Sequence, residues 1–134
     1  MVDTRRTSYF KLKAETLAFS RDGTKIAYTD LEEHWLWRID APFTAKPTRL
    51  TKDALGCALP SWSPDGRFLA FSGFNQATKQ WNIYTLDTTV AGGGEPRALY
   101  PEKLAQVDAT WSPDGRWIAY GRNPRLADAS NLEP

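Results

Sequence analysis

One phrase is written three times along the chain: "AFSRDGTKIAYTD" at 18–30, "SWSPDGRFLAFSG" at 61–73 and "TWSPDGRWIAYGR" at 110–122. A catalytic signature is normally needed once, so repetition of this kind constrains architecture before it says anything of chemistry. Aligned, the copies place Phe19, Trp62 and Trp111 in one column, followed by Ser20, Ser63 and Ser112. Asp22, Asp65 and Asp114 then share a column, and Gly23, Gly66 and Gly115 the next. After the turn come Ile26, Leu69 and Ile118, then Ala27, Ala70 and Ala119, then Tyr28, Phe71 and Tyr120. The copies are offset by 43 and 49 residues. That spacing suits stacked repeats, and a four-stranded propeller blade needs about 40–50 residues.

The residue types explain the unit. A short strand ends in an aromatic residue and Ser, then meets a turn in which Pro sets φ, Asp bonds backbone amides two residues on, and Gly accepts a positive φ. The chain reverses into "KIAY", "FLAF" or "WIAY", where neighbouring residues are apolar on both sides. Such a strand is buried on both faces, as it must be when sheets stack face to face. The small Ala in the middle column lets neighbouring sheets approach closely. The repeated phrase therefore predicts a β-hairpin within each of several stacked sheets.

Two more strands follow in each complete unit. "WLWRID" (35–40) matches "NIYTLD" (82–87), with Leu36 set against Ile83 and Ile39 against Leu86. "PTRLT" (47–51) matches "PRALY" (96–100), each opening with Pro as suits an edge strand. Leu50 to Trp62 and Leu99 to Trp111 are both twelve residues. The loops 41–47 and 88–95 lie between the third and fourth strands, where insertions are absorbed at the rim. "TSYFKLKAE" (7–15) alternates weakly and reads as a strand, either outermost in the first blade or completing the last.

At 134 residues the chain is the size of one domain. Six Trp and an aromatic share of 13% suit a packed β interior. A net charge of +1 provides no broad field for nucleic acid or anionic lipid. Cys57 has no cysteine to pair with, and with His34 as the single histidine no zinc or Cys/His catalytic set assembles. Cys57 is expected to be a packed thiol. No apolar run approaches the ~20 residues of a membrane span, and "MVDTRRTSYF" lacks the apolar core of a signal peptide. A soluble protein of the bacterial cytoplasm or periplasm is expected, with the compartment open.

The segments "PSWSPDGRFLAFSG", "NIYTLD" and "GGGEPRAL" resemble the WD-like β-propeller repeat of the TolB type, and the resemblance spans roughly residues 15–122. The resemblance implies an all-β chain of four-stranded antiparallel blades: blade 1 about 7–52, blade 2 about 57–100, a partial blade 3 about 107–122, and a loop or tail at 123–134. Repeats of this family also occur in the propellers of prolyl-oligopeptidase-type peptidases and as sensor or scaffold domains on bacterial kinases and transcription regulators. Two departures stand out: Arg21 replaces Pro in the first copy, and the third copy stops after its second strand. Propellers have about four to eight blades. The chain is therefore expected to be part of a larger propeller or a homo-oligomer, with two chains closing a six-bladed ring as one arrangement, because a lone stack leaves apolar faces bare.

Catalytic chemistry finds little support. No G-x-S-x-G elbow is present, and the repeated serines are better suited to turn hydrogen bonds. Asp22, Asp65 and Asp114 lie in separate blades, so they suit turns rather than one metal ion. "AGGGEP" (91–96) lacks the Lys-Ser/Thr of a phosphate loop. Arg5, Arg6, Lys11 and Lys13 make a basic N-terminus without a nucleic-acid reading motif. The expected function is a non-enzymatic interaction or scaffold module with a protein or peptide partner, no cofactor, no metal and no nucleic acid. Trp35, Phe43, Phe74 and Trp81, near candidate connections, are its candidate anchors, or they pack between blades. The alternative is the propeller of a larger peptidase, kinase or regulator whose active domain lies outside these residues.

Overall fold

The computed structural model describes residues 11–52, 54–90, 94–102 and 104–123. Residues 7–10 of the strand expected at 7–15, residues 91–93 and the tail at 124–134 lie outside the described residues; 11–13 are not in a strand, and Ala14 and Glu15 open the first strand of the first sheet. Three antiparallel sheets follow one another along the chain. The first is β1 (Ala14–Phe19), β2 (Lys25–Asp30), β3 (Leu36–Asp40) and β4 (Thr48–Arg49), paired in that order. The second repeats it with β5 (Leu55–Trp62), β6 (Phe68–Asn75), β7 (Gln80–Asp87) and β8 (Arg97–Ala98). The third, among the described residues, is the hairpin of β9 (Ala105–Trp111) and β10 (Ile118–Asn123). These are two four-stranded blades and half of another.

The repeated turn is built from its own side chains. Ser20 Oγ donates to Asp22 Oδ1 at 2.7 Å and accepts Lys25 N at 3.0 Å, while Asp22 Oδ1 accepts Thr24 N at 3.0 Å. Ser63, Asp65, Arg67 and Phe68 repeat the arrangement, as do Ser112, Asp114, Arg116 and Trp117. Gly23, Gly66 and Gly115 sit at φ 73°, 72° and 73°. A side chain is disfavoured in that region, which is why Gly closes each copy. Arg21, standing where the other copies have Pro, donates to the Pro113 carbonyl at 2.9 Å and so ties the first turn to the third.

Side chains alternate between the two faces of each blade. On β6, Leu69 and Phe71 face the first blade and join a core with Ala27, Leu36, Leu50, Trp62, Tyr84 and Leu86. Ala70 and Ile83 face the other way, against Ala109, Ile118 and Tyr120. Each blade thus offers its Ala to the next and its Ile/Leu and aromatic pair to the previous one. In β2 and β6 a continuous run of residues, 26–29 and 69–73, is buried, whereas β10 alternates and leaves Ala119 exposed. At the opposite end, Ile26, Tyr28 and Ile39 are buried, with Leu12 and Phe43 packed on them.

Blades are also bonded to one another. Leu59 N donates to Thr16 Oγ1 at 3.0 Å and Asp108 N to Ser72 Oγ at 3.2 Å. Ile83 N donates to the buried Gln106 Oε1 at 3.0 Å, and within the first blade Leu36 N donates to Thr51 Oγ1 at 2.9 Å. The short β4 and β8 follow Pro47 and Pro96 and hold their blades by matching contacts, Leu50 N to the Leu36 carbonyl at 2.7 Å and Leu99 N to that of Ile83 at 2.8 Å.

Candidate functional site

Among the described residues β1, β5 and β9 each have one unpaired edge, and the three lie side by side. Each carries a register shift: between Ala58 and Ser61 opposite β6 and between Val107 and Thr110 opposite β10 at equivalent places, and nearer the start of the strand, between Ala14 and Thr16, opposite β2. Two of these bulges hold non-glycine residues at positive φ, Leu59 at 54° and Asp108 at 58°. A bulge bends its strand and redirects side chains. Together the strands and the turns after them line a groove of about 680 Å³.

The groove is mostly apolar with a few polar groups. Leu17, Phe19 and Leu59 line it and are 55%, 55% and 40% exposed. Trp62 and Trp111 form part of its wall. Trp62 Nε1 donates to the Ala18 carbonyl at 3.0 Å. The Asp108 carboxylate lines the groove and meets no cation or donor among the described residues. Arg21 also lines it, with its guanidinium already held by Pro113.

The sequence singled out other aromatic residues. Phe74 and Trp81 are directly opposed on β6 and β7, with ring centroids 5.4 Å apart. Trp35 lies with Trp37, centroids 6.4 Å apart, beneath the Arg49 guanidinium, whose carbon is 3.2 Å from the ring centre. Phe43 sits at φ 65° and meets Phe19 edge-on at 6.0 Å. All four are half-buried, and among the described residues they stand in these separate pairs rather than in one cluster. The inner-strand groove was not singled out in the sequence. Its signal was the step from Trp62 back to Leu59, repeated from Trp111 back to Asp108, but the residue types at the bulge differ too much to form a column.

The repeated aspartates serve turns. Thr24 N–H, together with the Ser20 hydroxyl, holds the Asp22 carboxyl down to about 2. The Ser63 hydroxyl and Arg67 N–H lower Asp65, and the Ser112 hydroxyl and Arg116 N–H lower Asp114. Among the described residues no group of three or more His, Cys, Asp or Glu is placed to hold a metal ion. His34 adopts φ 57° in the turn before β3, and its Nδ1 lies 2.7 Å from Glu15 Oε2, both side chains about half exposed. Cys57 is buried and free, and burial pushes its thiol up to about 11. A thiol held protonated in this way is a poor nucleophile.

Solved structures with the same arrangement identify the blades. The chain matches a putative TolB from Agrobacterium tumefaciens with a TM-score of 0.68 at 21% identity, covering 89% of this chain and 43% of that one. The blades have the TolB-type propeller fold. TolB from Acinetobacter baumannii matches with a TM-score of 0.63 at 21% identity, over 84% of this chain and 27% of its own. Kuenenia stuttgartiensis hydrazine synthase matches at 0.60 and 21% identity, over 81% and 31%. The chain spans less than half the length of each of these structures. No family model matches the sequence, and no curated protein matches it significantly. Among the described residues no helix is long and apolar enough to cross a membrane.

Proposed function

We propose that these TolB-type blades form a non-enzymatic protein-interaction module whose inner-strand groove receives an extended protein or peptide segment. The observation that carries this reading is the groove itself. Three strand edges, unpaired among the described residues, converge on a 680 Å³ concavity, and Leu17, Phe19 and Leu59 stand exposed in it. Unpaired edges offer main-chain hydrogen bonds, exposed apolar side chains offer burial, and the two together suit an extended segment. Trp35, Phe43, Phe74 and Trp81 are proposed as further contacts at the connections.

Self-association belongs to the same proposal. Ala119 lies bare on β10, while the equivalent Ala27 and Ala70 are covered by the following blade. We place the contact between copies on that bare face, and Ala119→Asp would then lower the mass measured by light scattering from a multiple of the chain to a single chain.

The groove is tested by selecting displayed peptides on the immobilised chain. Selected peptides should lose binding to Phe19→Ser and Leu59→Asp while keeping it for Val90→Asp, which lies outside the groove. Selected peptides indifferent to Phe19 and Leu59 would overturn the reading. A second reading follows from the match to hydrazine synthase: the blades serve as the propeller of a larger enzyme or regulator. An adjoining hydrolase, kinase or DNA-binding segment in the encoding gene would favour it.

A further inference from the structure

A second cavity, independent of the groove, opens beside the β2–β3 hairpin and measures about 440 Å³. Tyr28, Trp35 and Trp37 line it, with Asp30, Glu32 and Glu33. We propose that this cavity binds a quaternary ammonium group.

The aromatic wall supplies faces of negative quadrupole, on which a cation without strong hydration is held well. Trp35 already holds one such cation from within the chain, the Arg49 guanidinium stacked on it. Asp30 supplies a fixed negative charge. Burial raises its pKa, but hydrogen bonds from Glu33 N, Trp37 Nε1, Glu32 N and Trp35 N outweigh that and leave it below the usual carboxylate value. Its charge is also felt by Tyr28, whose pKa rises through burial and then through Asp30.

The hydrogen bonds decide which cation fits. Asp30 Oδ1 accepts Glu32 N at 3.0 Å and Glu33 N at 2.7 Å, and Oδ2 accepts Trp35 N at 3.1 Å and Trp37 Nε1 at 2.9 Å. A carboxylate offers about four lone-pair sites, so Asp30 keeps its charge but has no acceptor to spare. A primary ammonium or guanidinium would find no free acceptor on Asp30 and would have to reach the exposed Glu32 and Glu33 carboxylates at the rim. A quaternary ammonium has no N–H to satisfy. Glu32 and Glu33, exposed and without partners among the described residues, add negative charge at the rim, against which stand the exposed Lys13 and Lys46.

The test uses the whole chain with tetramethylammonium, choline, phosphocholine and the neutral choline isostere 3,3-dimethylbutan-1-ol, following the Trp35 and Trp37 indole N–H resonances, with sodium chloride as the salt control. Saturable shifts with tetramethylammonium and choline are expected, with the neutral isostere at least about threefold weaker. The exposed pair Glu32→Gln/Glu33→Gln should weaken choline, and Lys46→Gln should strengthen it. Whether choline or phosphocholine binds more tightly separates a free solute from a lipid headgroup, and either supports the site. Equal binding of the neutral isostere, or no saturable shift with any ammonium, would overturn the proposal.

Discussion

Trp62 and Trp111 occupy the same column of the repeat, yet only Trp62 Nε1 reaches an acceptor, the Ala18 carbonyl; Trp111 Nε1 is buried without one among the described residues. The second blade is thus pinned to the first by a bond that the third does not repeat on the second.

Trp62→Phe removes that bond, so it should destabilise the chain by roughly 1 kcal/mol. Trp111→Phe removes an unpaired donor and should cost less. Urea denaturation of the two variants checks the order, and an equal loss would mean that the indole bond is not what distinguishes them.

Gly66→Val places a β-branched side chain at φ 72°, where only Lys25 Nζ lies near, 3.4 Å from the added Cβ. Backbone strain rather than collision is therefore responsible for an expected loss of about 1–2 kcal/mol. A thermal scan that showed no lowered midpoint would contradict the turn geometry.

Acid should weaken the fold through the repeated turns. The Asp22 carboxyl moves from 3.8 to about 2 on folding, and Asp65 and Asp114 are lowered too. A depressed folded-state pKa contributes stability that is present above the unfolded value and is lost as pH falls through the folded one. Stability should fall from about pH 4 towards pH 2, and the triple replacement of these aspartates by Asn should flatten that slope in denaturation curves taken across the range.

Cys57 should react with a thiol reagent only as the chain unfolds, since it is buried and its thiol stays protonated at neutral pH. Labelling at pH 8 followed against urea should track the loss of β signal by circular dichroism. Rapid labelling of the native chain would show that the contact between blades opens readily.

Much of the architecture is legible in residue type because the hairpin depends on it. Ser, Asp and Gly are each required by a named bond or dihedral, so they stay in their columns through all three copies. The β2–β3 and β6–β7 turns repeat each other just as closely: Asp30 Oδ1 accepts Glu32 N and Glu33 N, and Asn75 Oδ1 accepts Ala77 N and Thr78 N. His34 and Lys79 then take φ 57° and 58°. That second repeat is hidden because Asp and Asn accept equally well and the residues between them contribute only backbone N–H groups. The groove is hidden for a related reason. Its bulges are a property of register, and Leu59 and Asp108 share a bulge position without sharing chemistry.

The Ser-Asp-Gly turn has one further consequence. Its bonds, from Ser20 to Lys25 and from Asp22 to Thr24, close within six residues of sequence. Chain reversal needs nothing from distant parts of the molecule, so each of the three sites is competent to nucleate its own hairpin before any stacking has begun. Folding then becomes the docking of pieces already formed.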